Sequence, residues 1–188
     1  MDIEPRRCHW CTGHPAYIAY HDHEWGRPEY DSLKLFEMLC LEGMQAGLSW
    51  LTILLRRDNY RRAFHDFDPN KIAQMTGVDV ARLMQDAGII RNRLKVNAII
   101  KNAQAYLQLT QTQDFSDFLW SLVDRKPIIR NRGSAILTET EQSRAMSKAL
   151  KKLGFTFVGP TICYAFMQAV GMVNDHEDGC DLGLPTTG

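Results

Sequence analysis

The stretch 35–53 carries the clearest hydrophobic periodicity of the chain. At about 100° per residue, its pattern predicts one helix, or two helices that meet at Gly43 or Gly47. The apolar stripe of this stretch consists of Leu35, Leu39, Ala46 and Ile53. The rest of the predicted fold packs around this stripe.

Glu42 lies in the middle of the apolar stripe, and Trp50 lies at its edge. Seven residues after Leu35, a helical side chain returns to within about 20° of the same direction. A carboxylate in that position costs free energy unless a cation or hydrogen-bond donors meet it. Glu42 therefore either pairs with a core arginine or caps another helix, or it forms the acidic floor of a pocket beside a tryptophan.

Capping residues predict further helices along the chain. The predicted starts are Asp31–Ser32, Asp68–Pro69, Asp79, Asp114, a capping box of Thr138 with Glu141, and Pro160. The predicted ends lie near Gly88, Asp124, Gly154 and Gly171. Residues 125–137 look irregular, and no strand alternation persists, so we predict an all-α fold of roughly eight to ten helices.

Residues 85–103 predict two helices joined by a turn at Gly88, with Ile89 and Ile90 packing in the turn. The cationic side chains that follow the turn are Arg91, Arg93 and Lys95. Free N–H groups of such a turn and of the second helix can bind a phosphate, and the cations add charge. The alternative is an ordinary helix pair with a glycine cap and a solvated charged face.

Length and composition describe an ordinary globular protein, with 188 residues, 45% of them hydrophobic and 23% charged. The net charge of zero argues against a strongly basic nucleic-acid binder, although a local basic patch is compatible with it. No early apolar run resembles a signal peptide and no stretch of about 20 residues could span a bilayer. We therefore expect a soluble, cytoplasmic protein that does not bind membranes.

Cysteine and histidine residues crowd both ends of the chain. Near the C-terminus, the spacing of His176 and Cys180 allows both side chains to reach one ion. The N-terminal candidates are Cys8, His9, Cys11, His14, His21 and His23, and their spacing does not choose among them. Two ligands from each end would form a closed, structural zinc site that clips distant parts of the chain together. The alternative is that these residues bind no metal and are ordinary surface histidines and buried thiols.

At these residues the chain resembles the DNA-3-methyladenine glycosylase I family from end to end. The matching runs are YIAYHDHEWG (17–26), LFEMLCLEGMQAGLSW (35–50), QDAGIIRNRLK (85–95), SKALKKLGFTFVGPTICYAFMQAVGMVNDH (147–176) and the final Cys180. The resemblance implies a helix–hairpin–helix glycosylase-like helical bundle with a zinc-stapled terminal region. It also implies a monofunctional enzyme that flips 3-methyladenine out of double-stranded DNA in base-excision repair and releases the free base.

The resemblance also implies roles for individual residues. Zinc would be held by Cys8, His21, His176 and Cys180. The damaged base would be gripped by Glu42, Tyr20 and Trp50, with Tyr17 nearby, and Glu42 is the candidate catalytic residue. Leu48 would fill the hole left in the duplex, and the hairpin residues 88–91, 93 and 95 would contact the DNA backbone.

Several features of the chain depart from the expected pattern or leave alternatives open. Cys11 and His23 are local rivals for the metal site, and Leu94 stands where the hairpin is expected to have glycine. The family is thought to lack the catalytic aspartate of its wider superfamily, so Asp114 and Asp117 are interpreted as capping and first-turn residues.

Three other functions remain possible from the sequence. A bifunctional glycosylase/lyase would use Lys95 or Lys101. A zinc-stapled DNA-binding module would have no activity. A zinc hydrolase would need an open coordination position.

The predicted organisation is one catalytic unit, 1–188, that acts as a monomer. We expect two helical lobes. Residues 1–30 and about 125–188 would form the lobe with the zinc-clipped termini. Residues of about 31–124 would form the lobe with the Glu42 helix and the hairpin.

Overall fold

The computed structural model describes residues 4–130, 135 and 137–183. Within them the fold is almost entirely helical, as predicted. The α-helices are α1 (Pro15–His23), α2 (Ser32–Met44), α3 (Trp50–Leu54), α4 (Arg57–Ala63), α5 (Pro69–Ala73), α6 (Gly77–Leu83), α7 (Arg93–Leu109), α8 (Phe115–Ser121), α9 (Glu141–Lys152) and α10 (Pro160–Ala169). Two short 3₁₀ helices cover His9–Cys11 and His65–Phe67. None of the helices in this part of the chain is long and apolar enough to cross a membrane.

Two short strands, β1 (Ile128–Ile129) and β2 (Val173–Asn174), pair in parallel, with Ile128 opposite Val173 and Ile129 opposite Asn174. The region 125–137 was predicted to be irregular, and residues 131–134 and 136 of it lie outside the described residues. Two-residue strands leave no room for a period-two pattern, so the sequence carries no signal for them.

The 35–53 stretch folds as two helices, one of the two predicted alternatives. Helix α2 begins after Asp31, whose side chain accepts a hydrogen bond from the Lys34 N–H, and α3 begins after Ser49. Between them Gly47 adopts φ +74°, a left-handed conformation that is strained for residues with a Cβ. Leu35, Leu39 and Ile53 of the predicted stripe are fully buried, so the turn redirects the chain without breaking the apolar face.

Two predicted caps are wrong in detail. Thr76, rather than Asp79, caps α6; Asp79 is the third helical residue and reciprocates by accepting from the Thr76 N–H. Thr140, rather than Thr138, caps α9, with Ser143 in place of Glu141 as its partner. In both helices a second polar side chain nearby could make the same local bonds, and the packing of the helix decided which one does.

Of the other predicted helix boundaries, some agree with the structure and two do not. Asp68 and Asp114 cap α5 and α8 through their side chains. Gly154 and Gly171 follow α9 and α10 with positive φ angles. Helices α6 and α8 end at Leu83 and Ser121, several residues before the predicted Gly88 and Asp124.

Helix α1 was not predicted, although it carries three of the proposed site residues. His14 caps it by accepting from the Ala16 N–H, and Pro15 occupies its first position. Helices α1, α2, α3 and α10 together surround the candidate site. Close packing of α2 depends on Gly43, where a Cβ would lie 3.1 Å from the Phe157 carbonyl oxygen.

Candidate functional site

A cavity of about 170 Å³ lies between α1, α2, α3 and α10. It is lined by Trp10, Tyr17, Tyr20, Trp25, Glu42, Gln45, Trp50, Ala165 and Gln168. Engineered protein cavities of about 150 Å³ take up benzene, so this opening suits one aromatic ring system. Three larger grooves on the described surface have at most one Phe, Tyr or Trp residue each in their lining, and one of them is lined largely by charged side chains.

Four buried side-chain nitrogen and oxygen atoms in the described part of the chain have no hydrogen-bond partner, and all four belong to residues that line this cavity. They are Tyr20 Oη, Glu42 Oε2, Gln45 Oε1 and Trp50 Nε1. Unpaired polar atoms in a protein interior each cost free energy. Their convergence on one cavity indicates that a polar ligand completes the set.

Glu42 lies near the end of α2 and is 3% exposed. No ion pair to Glu42 occurs among the described residues, so the interpretation in which a core arginine neutralises it is wrong. Burial alone raises the pKa of Glu42 to about 8. The cavity floor is therefore a carboxyl group that ionises readily only when a positive charge comes to it.

Aromatic rings surround this carboxyl group. The Tyr20 and Trp50 rings lie with centroids 5.5 Å apart and tilted by 44°. Trp10 packs edge-on against Tyr17 at 5.0 Å and against Trp25 at 5.0 Å. Burial, and then the nearby Glu42, raise the pKa of Tyr20 well above its usual value, so Tyr20 stays a neutral hydroxyl with a proton to donate.

The two ends of the chain meet beside this cavity in a cluster of Cys8, His21, His176 and Cys180, whose ligand atoms all lie within 4.8 Å of one another. The Sγ to imidazole nitrogen distances are 3.7 Å for Cys8–His176, 3.6 Å for Cys180–His21 and 3.5 Å for Cys180–His176. A tetrahedral zinc ion, bonded at about 2.3 Å to sulfur and about 2.05 Å to nitrogen, sets neighbouring S and N atoms about 3.6 Å apart. The donor set and its spacing fit a zinc ion.

Groups around the cluster orient its side chains. His21 Nδ1 lies 2.8 Å from Asp22 Oδ1, which directs Nε2 toward Cys180. Burial opposes ionisation of Asp22, but hydrogen bonds from His21 and Arg7 outweigh it and lower the Asp22 pKa. A carboxylate on the far nitrogen of a histidine is the usual support of a metal ligand. Burial also raises the pKa of the Cys8 thiol to about 12, so a thiolate there needs a cation beside it.

The other N-terminal candidates for metal ligands make different contacts or are exposed. Cys11 Sγ donates to the Cys8 carbonyl oxygen at 3.1 Å. His9 Nδ1 lies 2.9 Å from Glu177, and His14 caps α1. His23 is exposed at the end of α1. Of the N-terminal candidates, the structure therefore brings Cys8 and His21 together with His176 and Cys180.

The predicted hairpin lies between α6 and α7. Its amide groups are partly occupied: the Gly88 N–H donates to Asp86 Oδ1 at 2.8 Å, and the Ile90 N–H donates to the Tyr60 hydroxyl at 3.2 Å. The turn therefore does not offer all its N–H groups freely, contrary to the sequence-based expectation. Ile89 is buried, as expected for a packing residue.

The side chains that follow the turn divide into two groups. Arg91 and Arg93 are exposed, and Leu94, where glycine was expected, is 72% exposed and crowds nothing in the core. Lys95 is only 6% exposed, and its ammonium group donates to the carbonyl oxygens of Met44 and Ala46. Leu48, the candidate to fill the hole that a flipped base leaves in the duplex (the candidate wedge), is 40% exposed in the turn after α2.

The structure thus brings together all four predicted base-binding residues. It adds residues that the sequence reading did not single out for the cavity: Trp10, Trp25, Gln45, Ala165 and Gln168. Gln45 could have been found from its position three residues after Glu42, one turn further along the same face. The other four come from distant segments and carried no local signal.

Comparisons with known proteins show which family the chain resembles. Residues 10–183 match the family model described as methyladenine glycosylase. The chain is 61% identical over 177 residues to DNA-3-methyladenine glycosylase 1 of Escherichia coli (strain K12), covering 93% of this chain and 95% of that protein. It superimposes on a crystal structure of 3-methyladenine DNA glycosylase I with a TM-score of 0.92 and 59% identity, over 94% of this chain and 98% of that one.

A further solved structure, of a variant 3-methyladenine DNA glycosylase I in complex with 3-methyladenine, matches with a TM-score of 0.91 and 42% identity, over 95% of this chain and 98% of that one. A match over nearly the whole length, in both sequence and fold, goes far beyond a shared architecture. The chain belongs to the methyladenine glycosylase family.

Proposed function

We propose that this protein is a monofunctional DNA glycosylase that excises 3-methyladenine from alkylated double-stranded DNA, as part of base-excision repair. The observation that carries the proposal is the convergence of four unpaired polar atoms on one aromatic cavity floored by Glu42. The E. coli relative carries this activity in its name, and a solved family member binds 3-methyladenine.

The chemistry of the lesion matches the cavity. Methylation at N3 makes a nucleotide adenine cationic, and a cation is attracted both to aromatic faces and to a carboxylate in a low-dielectric site. Glu42 must lose its proton against a pKa of about 8 to offer that carboxylate. A cationic base offsets the cost of ionising Glu42, whereas neutral adenine does not, so the buried acid itself selects for damage.

The proposed reaction needs little covalent chemistry from the protein. A base inside a duplex is out of reach, so the nucleotide is flipped into the cavity. N3-methylated adenine is already a good leaving group. The residues that line the cavity hold it and exclude bulk water, while the negative charge of Glu42 stabilises positive charge on base and sugar. One water attacks C1′ as the C1′–N9 bond breaks, the base leaves as neutral 3-methyladenine, and the water gives up its proton. We assign Glu42 to recognition and electrostatic stabilisation, with Tyr20, Trp50 and Tyr17 as base-binding residues.

The direct test is release of 3-methyladenine from methylated duplex DNA by the purified protein. Glu42→Gln should lower the excision rate by at least tenfold, because it keeps the shape of the side chain and removes the charge. Glu37→Gln is the matched control: it lies on the same helix and pairs with Arg61 at 2.7 Å, away from the cavity. Equal rates for wild type and Glu42→Gln would remove Glu42 from the site, and no release by the wild type would refute the function.

We further propose that the Cys8, His21, His176 and Cys180 cluster holds a structural zinc ion. Four protein ligands leave no position open for a water or a substrate, so the ion would supply folding energy and take no part in the reaction. A zinc hydrolase is disfavoured for the same reason.

The DNA interface is proposed to include the hairpin and the turn after α2. Arg91 and Arg93 are exposed next to the N-terminus of α7, where helix and side-chain charges favour a phosphate. Leu48 would occupy the space that the flipped nucleotide leaves. Because Gly88 and Ile90 already use their N–H groups, we assign the backbone contact mainly to the arginine side chains.

The cavity takes its lining residues from both of the lobes predicted from the sequence. Glu42, Gln45 and Trp50 belong to the 31–124 lobe, and the remaining lining residues come from segments 1–30 and 125–188. We propose that the base enters between the lobes and that the protein acts as a monomer.

The lyase alternative is disfavoured by the positions of its candidate lysines. Neither Lys95 nor Lys101 lines the base cavity, and a Schiff base requires an amine at the reacting sugar. Borohydride trapping on abasic DNA distinguishes the two enzymes, since a covalent adduct would support the lyase. A DNA-binding module without activity is also disfavoured, because DNA binding alone does not require a buried carboxyl group such as Glu42 in an aromatic cavity.

A further inference from the structure

Lys95 has an unusual setting for a residue in the first turn of a helix next to two exposed arginines. Its ammonium group donates to the Met44 carbonyl oxygen at 2.9 Å and to the Ala46 carbonyl oxygen at 2.5 Å. The residue is 6% exposed. Burying a lysine amine costs free energy unless hydrogen-bond acceptors meet it. The two carbonyl oxygens provide those acceptors, so the contact stabilises the buried position of Lys95.

The two acceptors flank Gln45. Met44 is the last residue of α2, and the carbonyl groups there carry the negative end of the helix dipole, which favours a cation. Gln45 itself points an unpaired Oε1 into the base cavity. Two residues beyond Ala46, Leu48 is exposed in the same turn. Lys95 therefore binds the segment that carries one cavity residue and the candidate wedge.

We propose that Lys95 is a positioning residue, whose ammonium group locks the turn 44–48 so that Gln45 faces the flipped base while Leu48 faces the duplex. Because Lys95 lies in the first turn of α7, the contact joins the helix that follows the hairpin to the turn that enters the DNA. The proposal rests on the proposed glycosylase function. It adds that Lys95 couples binding of the DNA backbone near the start of α7 to extrusion of the base at the turn 44–48.

Two other roles for this amine fit the contacts less well. A phosphate contact needs an exposed cation, as Arg91 and Arg93 are and Lys95 is not. An ammonium group that compensated the charge of Glu42 would lower the pKa of Glu42. Burial is instead the sole cause of the shift, and it raises that pKa. The positive charge of Lys95 is directed at backbone carbonyl groups rather than at the catalytic carboxyl group.

The test compares Lys95→Met with Lys101→Met, a matched loss of one positive charge at an exposed position of the same helix. For Lys95→Met we expect single-turnover excision of 3-methyladenine from duplex DNA to slow by about tenfold to a hundredfold, because the turn is displaced. The dependence of log DNA affinity on log salt concentration should keep its wild-type slope, since no phosphate contact is lost. Lys101→Met should leave the rate of excision within about twofold of wild type.

Amide hydrogen exchange provides a readout independent of activity. The Leu48 N–H donates to the Gln45 carbonyl oxygen at 2.7 Å, and in Lys95→Met this amide should exchange at least about tenfold faster. Unchanged exchange together with an unchanged rate would overturn the proposal. A salt slope reduced by about one unit would assign Lys95 to a phosphate instead. If the wild type released no base, the proposed function would fail, while the exchange result would still decide whether Lys95 holds the turn.

A measurement on the wild type keeps the proposal testable if Lys95→Met does not fold. An amine-acylating reagent should modify Lys101 in the free protein and leave Lys95 unmodified, with or without DNA. Acylation of Lys95 in the free protein, with protection by DNA, would contradict the assignment.

Discussion

Tyr20 and His21 are neighbours on α1, yet their side chains end in two different sites. The Tyr20 hydroxyl group lines the base cavity without a partner, and His21 Nε2 lies 3.6 Å from Cys180 Sγ in the terminal cluster. Trp25 connects the two sites from the other side, since it stacks on His21 and also lines the cavity. The terminal cluster is therefore in direct contact with the aromatic wall of the cavity.

Gly26→Ala should damage the terminal cluster. A Cβ at Gly26 would lie 2.7 Å from His176 Nε2, and the residue has φ +76°. Gly47→Ala is the control, because Gly47 has φ +74° but no atom within 4 Å of an added Cβ. Both substitutions should cost about 1 kcal/mol of stability from backbone strain, and Gly26→Ala alone should also lower the bound zinc. Thermal melts and metal analysis measure the two effects. Equal zinc content in the two variants would contradict this placement of His176.

Removing one thiol from the cluster should release the metal, whereas removing its neighbour should not. Cys180→Ser replaces a ligand, and we expect the zinc content to fall well below one ion per chain and the melting temperature to drop by several degrees. Cys11→Ser keeps a donor to the Cys8 carbonyl oxygen and should retain the metal. Elemental analysis after dialysis against a chelator gives the answer. Loss of zinc from Cys11→Ser, with retention in Cys180→Ser, would reverse the ligand assignment.

Glu42 should make the ligand-free protein less stable as the pH rises. Its pKa is about 8 in the folded chain and about 4.3 in an unfolded one. The folded state therefore holds a proton that the unfolded state releases. The resulting stabilisation is complete below about pH 4 and is lost at up to about 1.4 kcal/mol per pH unit until the pH passes about 8.

Thermal melts of wild type and Glu42→Gln from pH 5 to pH 8 test this dependence, because glutamine does not titrate. The melting temperature of wild type minus that of Glu42→Gln should fall steadily across the range. A constant difference would mean that Glu42 is ionised throughout, with a cation beside it.

Charge selectivity can be measured without DNA. The 3,9-dimethyladeninium cation carries the permanent charge of the lesion, and 9-methyladenine is its neutral counterpart. Wild type should bind the cation more tightly, by about tenfold or more, and its affinity should rise with pH toward about 8 as Glu42 ionises. In Glu42→Gln the pH dependence should disappear, and the preference should shrink to the part that the aromatic faces supply. Isothermal titration calorimetry at several pH values measures all four affinities, and an undiminished preference in Glu42→Gln would assign selectivity to the aromatic rings alone.

The exposed arginines after the hairpin should govern the salt dependence of DNA binding. Arg91→Ala and Arg93→Ala should each reduce the slope of log affinity against log salt by about one unit, equally for damaged and undamaged duplexes. Arg144→Ala, on α9 and paired with Glu139, serves as a charge-loss control. Slopes that stay at the wild-type value in both hairpin variants would place the backbone contact elsewhere.

Much of the local structure could be predicted from the sequence, because helix signals act over three or four residues. Asp31, Asp68 and Asp114 cap the predicted helices with their side chains. Where two polar residues competed for a cap, as at Thr76 and Asp79, the pattern could not decide between them. The buried position of Glu42 also followed from periodicity alone, since a helix returns to the same face after seven residues.

The sequence by itself determined that a carboxyl group would be buried on an apolar helix face and that thiols and imidazoles would crowd both ends of the chain. Only the tertiary structure decided that an aromatic cavity, rather than an arginine, meets Glu42, that Cys8 and His21 rather than Cys11 and His23 join the C-terminal pair, and that the Lys95 amine turns inward. These outcomes depend on contacts between segments far apart in the chain. Such contacts are selected by the packing of the whole core, and short-range patterns carry no record of them.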